Sequence, residues 1–282
     1  MEWVDGLNAA IAYIEEHLEE ELDYDALARI ACCPAYHYQR MFAYMAGVPL
    51  SEYIRRRRMS RAAVDLQTGD KVVDVGLRYG YQSPTAFNRA FHAVHGIAPS
   101  AVREKGAVVK SFPPLRFTVT IKGAEEMEYR IEKRDAFRIV GISAPLDQDI
   151  EKNFSLVPQM WGKAAGDGTI TRLAALMEGS PMGLLGVSAC GDGAAWRYWI
   201  AVASEREAEG FETYTVPAAV WAVFPGEGSS LSLQELERRV VTEWLPSSGY
   251  VYGSAPDVEV YLNADPANAK YEVWIPVVKQ EG

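Results

Sequence analysis

Cysteine is scarce in this chain. Three occur among 282 residues, at Cys32, Cys33 and Cys190, too few for a disulfide framework. Long apolar runs are missing as well. None approaches the ~20 residues that cross a bilayer, so no membrane partner is expected. The N-terminus, MEWVDGLNAAIAYIEEH, lacks the basic start and apolar run of a secretory signal, so a cytoplasmic location is expected. Lysine and arginine are absent from the first 25 positions, which carry nine acids.

What is present is a folded composition: the hydrophobic fraction is 49%, and the length suits one large or two ordinary domains. The net charge of −10 argues against nucleic acid until its distribution is read. Residues 26–105 carry twelve bases and five acids, a surplus of seven, whereas 106–282 carry sixteen bases and twenty-four acids. A local basic face is what a phosphate-binding surface requires.

The first hundred residues read as helices. Val4, Leu7, Ile11, Ile14 and Leu18 recur at spacings of three and four. Asp23 or Asp25 offers a cap for a short helix to Ala31. Helices are then expected from Pro34 to Ala46, Leu50 to Leu66, Asp74 to Tyr79 and Pro84 to His95, with Gly47 and Gly96 as stops. After Phe112-Pro113-Pro114-Leu115 the texture becomes short β-rich runs at 129–134, 137–143, 196–204, 211–216, 219–225, 258–262 and 271–278. Helical stretches near 148–163 and 231–245 interrupt them. The expected fold is two domains: an all-α domain over 1–106, a linker over 107–123, and an α+β domain over 124–282.

Both domains repeat internally. At an offset of 49, Asp25, Tyr38, Arg40, Phe42, Gly47 and Ser51 fall on Asp74, Phe87, Arg89, Phe91, Gly96 and Ser100. Each copy is a short helix, a turn and a second helix, so the first domain is two helix-turn-helix units. Met41, Phe42 and Met45 then face the core, while Gln39, Arg40, Asn88 and Arg89 face outward. In the second domain, RYWIAVA resembles EVWIPVV at an offset of 75. Duplicated strand–strand–helix–strand–strand units place a pocket between the copies.

The stretch CCPAYHYQRMF (32–42) raises three readings. A zinc site needs paired ligands at set spacing, which adjacent cysteines with His37 do not supply; His92 and His95 on one helix face also lack a partner. A catalytic thiol lacks a partner constellation. A solvated helix face is the plain reading. The recurrence of arginine at Arg89 points instead to two helices entering successive major grooves, about 34 Å apart. Arginine reads guanine and glutamine reads adenine, while the Arg55–Arg58 run is either a solvated face or a set of phosphate contacts.

HYQRMF (37–42), GVPLSEYIRRRRM (47–59), DVGLRYGYQS (74–83), FNRAF (87–91) and GIAPS (96–100) resemble the DNA-binding domain of the AraC/XylS family of transcription regulators. By that resemblance the base readers are Tyr36, Gln39 and Arg40 on the first helix. Thr85 and Arg89, beside Pro84 and Ala86, hold the equivalent places on the second, with Arg55 and Arg57 on the DNA backbone. Pro84 and Ala86 depart from residues often polar in that family, which implies fewer base contacts and more reading of DNA shape. Residues from about 125 to 280 resemble the GyrI-like effector-binding domain, through Pro158-x-x-Trp161, EVYLNADP (259–266) and YEVWIP (271–276).

That likeness implies a small lipophilic effector, cationic and aromatic. Glu259 and Glu272 would hold its charge, while Tyr261, Trp161, Trp199, Trp244 and Trp274 would line its site. The implied protein is a transcription regulator, an activator, with double-stranded DNA, a small molecule and RNA polymerase as partners, without cofactor or metal. Two alternatives stay open for the second domain: a small-molecule hydrolase using Glu259 and Glu272 as acid and base, or a protein-binding module.

Overall fold

The apolar spacing at the N-terminus winds into α1 (Trp3–Glu16), which buries Leu7, Ile11 and Ile14. The protein is seen in a computed structural model that describes residues 3–31, 33–118, 126–147, 150–190, 196–263 and 268–280. The chain divides into two compact units, Met1–Val119 and Thr120–Gly282.

In the first unit, α2 (Tyr24–Ile30) starts at Asp23, whose carboxylate accepts the Asp25 N–H at 2.8 Å. α3 (Ala35–Ala46) stops at Gly47, with φ at 68°, and α6 (Pro84–His95) stops at Gly96, with φ at 78°. Both glycines hold the left-handed conformation that a side chain makes costly. The repeat is therefore structural: the second helix of each unit ends on the same device 49 residues apart. Between them lie α4 (Leu50–Thr68), two residues longer than its spacing suggested, and α5 (Val72–Arg78). Gly76 lets α5 approach α6 closely, since a Cβ there would meet the Phe87 ring at 3.2 Å.

The second unit is one antiparallel sheet with helices. Its strands are β1 (Arg130–Arg134), β2 (Phe137–Pro145), β3 (Leu184–Cys190), β4 (Trp196–Ala203), β5 (Glu212–Val216), β6 (Ala219–Gly228), β7 (Tyr250–Tyr252), β8 (Asp257–Tyr261) and β9 (Ala269–Lys279). α7 (Ile150–Gly166) and α8 (Thr169–Ala174) precede β3; α9 (Ser230–Arg239) precedes β7 and runs on through a π turn to Trp244. The strand order is β1-β6-β9-β8-β3-β4-β2-β5, with β7 added beside β9. Exchanging β1 with β5, β2 with β6, β3 with β8 and β4 with β9 returns the same order. The duplication is thus a pseudo-two-fold whose axis passes between β3 and β8. Two strands were not expected from the sequence: β7, and β3 at the centre of the sheet.

The two faces of this sheet differ. Ile139, Leu185, Val187, Trp199, Trp221, Val223, Val258, Val260 and Trp274 alternate along their strands and form one buried cluster. Phe137 on β2 meets Trp221 on β6 at 6.4 Å, although four strands separate them in the sheet. The sheet therefore curls around this face. Trp221 and Trp274 pack at 6.0 Å, tilted by 55°, a pair that adds about 1 kcal/mol beyond its buried area. The opposite face meets helices. A Cβ at Gly226 would meet both the Tyr271 ring, at 2.3 Å, and Leu236 of α9, at 3.0 Å.

Candidate functional sites

The second helices of the two units, α3 and α6, are not presented alike. On α6 the exposed stripe is Thr85, Asn88, Arg89 and His92, at spacings of three and four, with Pro84 exposed and Ala86 half-buried at its start. Its other side, Phe87, Phe91, Val94 and His95, is core. His92 and His95 thus do not share a face. On α3 every residue from His37 to Phe42 is buried. Gln39 and Arg40, expected to face outward, are 7% and 8% exposed, which corrects that expectation. The Arg40 guanidinium lies over the Tyr44 ring at 5.7 Å, one turn along the same helix. Tyr36 and Cys33 are half-buried, and Cys32 lies outside the described residues.

The arginine run on α4 also divides. Arg55 is half exposed and pairs with Glu52, which Arg56 also contacts at 2.5 Å. Arg58 donates to the backbone oxygens of Leu18 and Glu20 at 2.8 and 2.6 Å. Arg57, expected on the DNA backbone, is turned inward, with its side chain 8% exposed. Its Nε and Nη2 donate to the two oxygens of Glu15 at 2.7 and 2.6 Å, and Nη1 donates to the Phe112 carbonyl. Tyr53 adds a third bond to Glu15 at 2.7 Å. Burial alone would raise the Glu15 carboxyl, but the bonds from Arg57 and Tyr53 win and hold it below the usual range. The acidic first helix thus supplies the partner of a buried arginine.

In the second unit, β8 points Glu259 and Tyr261 to the helix-covered face. The Tyr261 hydroxyl donates to Glu259 Oε2 at 2.9 Å, and the Tyr198 hydroxyl donates to the same oxygen at 3.0 Å. Trp161, on α7, donates its Nε1–H to the Tyr198 oxygen at 3.0 Å and packs edge-on to Tyr261 at 5.0 Å. Glu259 pairs across the two-fold with Gly186 of β3. A Cβ at Gly186 would meet the Tyr198 hydroxyl at 2.3 Å and Glu259 Oε2 at 2.6 Å. Glycine there is the floor that makes room for the carboxylate and the Tyr198 phenol. Burial first, then the Glu259 charge, pushes the Tyr261 hydroxyl well above the phenol range, so it stays a donor. A carboxylate walled by aromatic rings can pair with a cation whose ring stacks on them.

The remaining expected lining residues lie elsewhere. Glu259 is paired with Val273 and Val260 with Glu272, so the two acids point to opposite faces. Glu272 is held by Arg130 at 2.9 and 3.0 Å and by the Trp274 Nε1–H at 2.9 Å. Arg134 lies over Trp274 at 4.6 Å. Its charge is matched and its neighbour Trp274 is core, as is Trp199, which stacks on Tyr214 at 5.7 Å. Trp244 belongs to a separate ring cluster, 5.0 Å from both Tyr129 and Phe224. The sequence reading missed Tyr198 and Gly186, and positions 264–266 of its motif lie outside the described residues. Among the described residues no group of three or more His, Cys, Asp or Glu is placed to hold a metal.

Residues 127–278 match the GyrI-like small molecule binding domain, and residues 27–105 match a helix-turn-helix domain. The chain belongs to the GyrI-like family. It is a DNA-binding transcription regulator of the AraC type with a GyrI-like small-molecule-binding domain. It is 39% identical over 98 residues to the HTH-type transcriptional activator AarP of Providencia stuartii, covering 34% of this chain and 73% of AarP. It is 26% identical over 290 residues to the right origin-binding protein of Escherichia coli K12, covering 95% and 96% of the two chains. The structure of SAV2435 bound to tetraphenylphosphonium aligns with 54% of this chain and 94% of its own, at 22% identity and a TM-score of 0.48. No described helix is long and apolar enough to cross a membrane.

Proposed function

We propose that this GyrI-like regulator senses a lipophilic aromatic cation at Glu259 and activates transcription in response. The observation that carries the reading is the cage itself: one carboxylate oxygen takes hydrogen bonds from Tyr198 and Tyr261 beneath Trp161. Glu259 is half-buried, and taking a carboxylate out of water is costly unless it is hydrogen-bonded or paired. The phenols hold it ready, and a cation that displaces Trp161 adds a charge partner and aromatic contact together.

On DNA, α6 offers Thr85 and Arg89, beside Pro84 and Ala86, as the open reading face, and Arg55 reaches a phosphate. Tyr36, Gln39 and Arg40 of α3 read the neighbouring groove once the buried Gln39 and Arg40 side chains turn outward. Two reading helices in one chain suit a monomer on an asymmetric site, with RNA polymerase as the protein partner on the bacterial nucleoid. AarP, the relative named as an activator, supports that direction of control. Titrating the full chain with tetraphenylphosphonium while following tryptophan fluorescence tests the sensing step. Saturable change is expected; its absence with this probe and with N-methylacridinium contradicts cation sensing.

A further inference from the structure

Residues 107–118, expected as a linker, belong instead to the first unit, where Lys110–Phe117 runs along it as an arm. The Lys110 N–H donates to His95 Nδ1 at 3.1 Å, at the end of α6. The Phe112 N–H then donates to Ser60 Oγ at 3.0 Å, its carbonyl takes the Arg57 guanidinium, and its ring lies under Arg56 at 5.1 Å. The Leu115 N–H donates to the Tyr53 hydroxyl at 3.3 Å. Phe117 makes two backbone bonds to the Asn8 amide, at 2.8 and 2.9 Å, and its buried ring meets Phe42 of α3 edge-on at 5.8 Å. The arm thus starts at one reading helix and ends under the other. Tyr53, Arg56, Arg57 and Ser60 form one stripe of α4, at spacings of three and four. They meet the arm in reverse order.

We propose that Lys110–Phe117 is a brace that fixes the two reading helices relative to each other and so sets the spacing at which two DNA half-sites are read. α4 alone connects the helix-turn-helix units covalently, and a change of bend along it would swing one reading helix against the other. The arm ties the far end of α6, through the Lys110–His95 bond, to the core beneath α3, where the Phe117 ring packs on Phe42 and its backbone bonds Asn8 of α1. Ordering these residues costs entropy, which a simple tether would not incur. A chain held this way has one preferred geometry on DNA. Adding a base pair between half-sites turns one of them by about 34°, so a rigid reader rejects the altered site and a loose one tolerates it.

The test uses the full chain and a duplex it selects from random-sequence DNA, compared with the same duplex carrying one base pair more or fewer between its two boxes. The wild type is expected to prefer the selected spacing by about tenfold or more. Phe117→Ala, which removes the ring from Phe42, is expected to reduce that preference to about threefold or less, while Phe117→Leu keeps it. A structural role alone would weaken all three duplexes by one factor, and that result overturns the brace. So does a wild type without spacing preference, or a selected site with a single box. Where Phe117→Ala does not fold, Asn8→Ala is read in its place. It removes the two bonds that anchor the arm's end, and an unchanged preference in it overturns the proposal equally.

Discussion

Tyr198 passes a hydrogen bond from Trp161 to Glu259: its oxygen accepts the indole N–H at 3.0 Å, and its proton goes to the carboxylate at 3.0 Å. Helix, sheet and charge are joined through one phenol. The arrangement exists because Gly186 leaves its Cβ space to the same two groups.

Gly186→Ala therefore intrudes on both atoms at once. It is expected to cost about 1–3 kcal/mol of stability through overpacking and to remove cation binding. Thermal unfolding and a tetraphenylphosphonium titration on the same sample check this. An unchanged melting point with unchanged affinity would show that the glycine is not the floor of the cage.

Glu272 offers the converse. Its charge is matched by Arg130, on the face opposite Glu259. Glu272→Gln should leave cation affinity where it is and lower only the stability of the β1 edge. A loss of binding equal to that of Glu259→Gln would return Glu272 to the ligand site.

The α4 arginines separate under salt. Arg55→Ala should reduce the slope of log affinity for the selected DNA against log salt by about one, as the loss of one phosphate contact does. Arg57→Ala should leave that slope unchanged. It strands the Glu15 carboxylate, whose side chain is 18% exposed, and should cost about 2–3 kcal/mol, somewhat below the figure for a fully buried pair. Salt-dependent binding isotherms and urea unfolding separate the two; a reduced slope for Arg57→Ala would put that side chain back on the DNA.

His95 makes the brace pH-sensitive. Its Nδ1 takes the Lys110 N–H, so its proton sits on Nε2, which donates to the Met59 carbonyl at 3.0 Å. Burial, aided by the Lys110 charge and opposed by the Met59 carbonyl, lowers its pKa below the ordinary histidine value of 6.5. The unfolded chain then takes up the proton first. This stability is complete above 6.5 and falls as pH drops from there toward the lower folded value. Urea midpoints across that range should decline in the wild type and decline less in His95→Gln. Equal slopes would remove His95 from the effect.

The helices α3 to α6 are legible to within two residues, because caps, stops and three-four spacing are local signals, whereas the first apolar spacing runs on to Leu18 and α1 stops at Glu16. Gly47 and Gly96 announced the repeat before any contact was known. The sheet was legible as a duplication but not in its centre. β3 reads Leu-Leu-Gly-Val-Ser-Ala-Cys, without the bulky alternation that marks a strand, and its glycine is there for Glu259 and Tyr198. Alternation within a strand does not align β8 with β9, so the opposite facing of Glu259 and Glu272 is legible only from the register. Trp199 and Trp274 were therefore grouped with Trp161 although they lie in the core. Charge misled in the same way on α4. Four consecutive arginines point around the helix, and only the Glu15 side chain, 42 residues away, shows which one turns inward.

Charge recognition by Glu259 is tested most directly with one ring system in two charge states. N-methylacridinium and neutral acridine, at pH 8, are titrated into the wild type and into Glu259→Gln. The wild type should favour the cation by about tenfold or more, and the variant should bind both alike. A wild type that binds the two rings equally, or a Glu259→Gln variant that keeps the preference, would contradict cation sensing at this carboxylate.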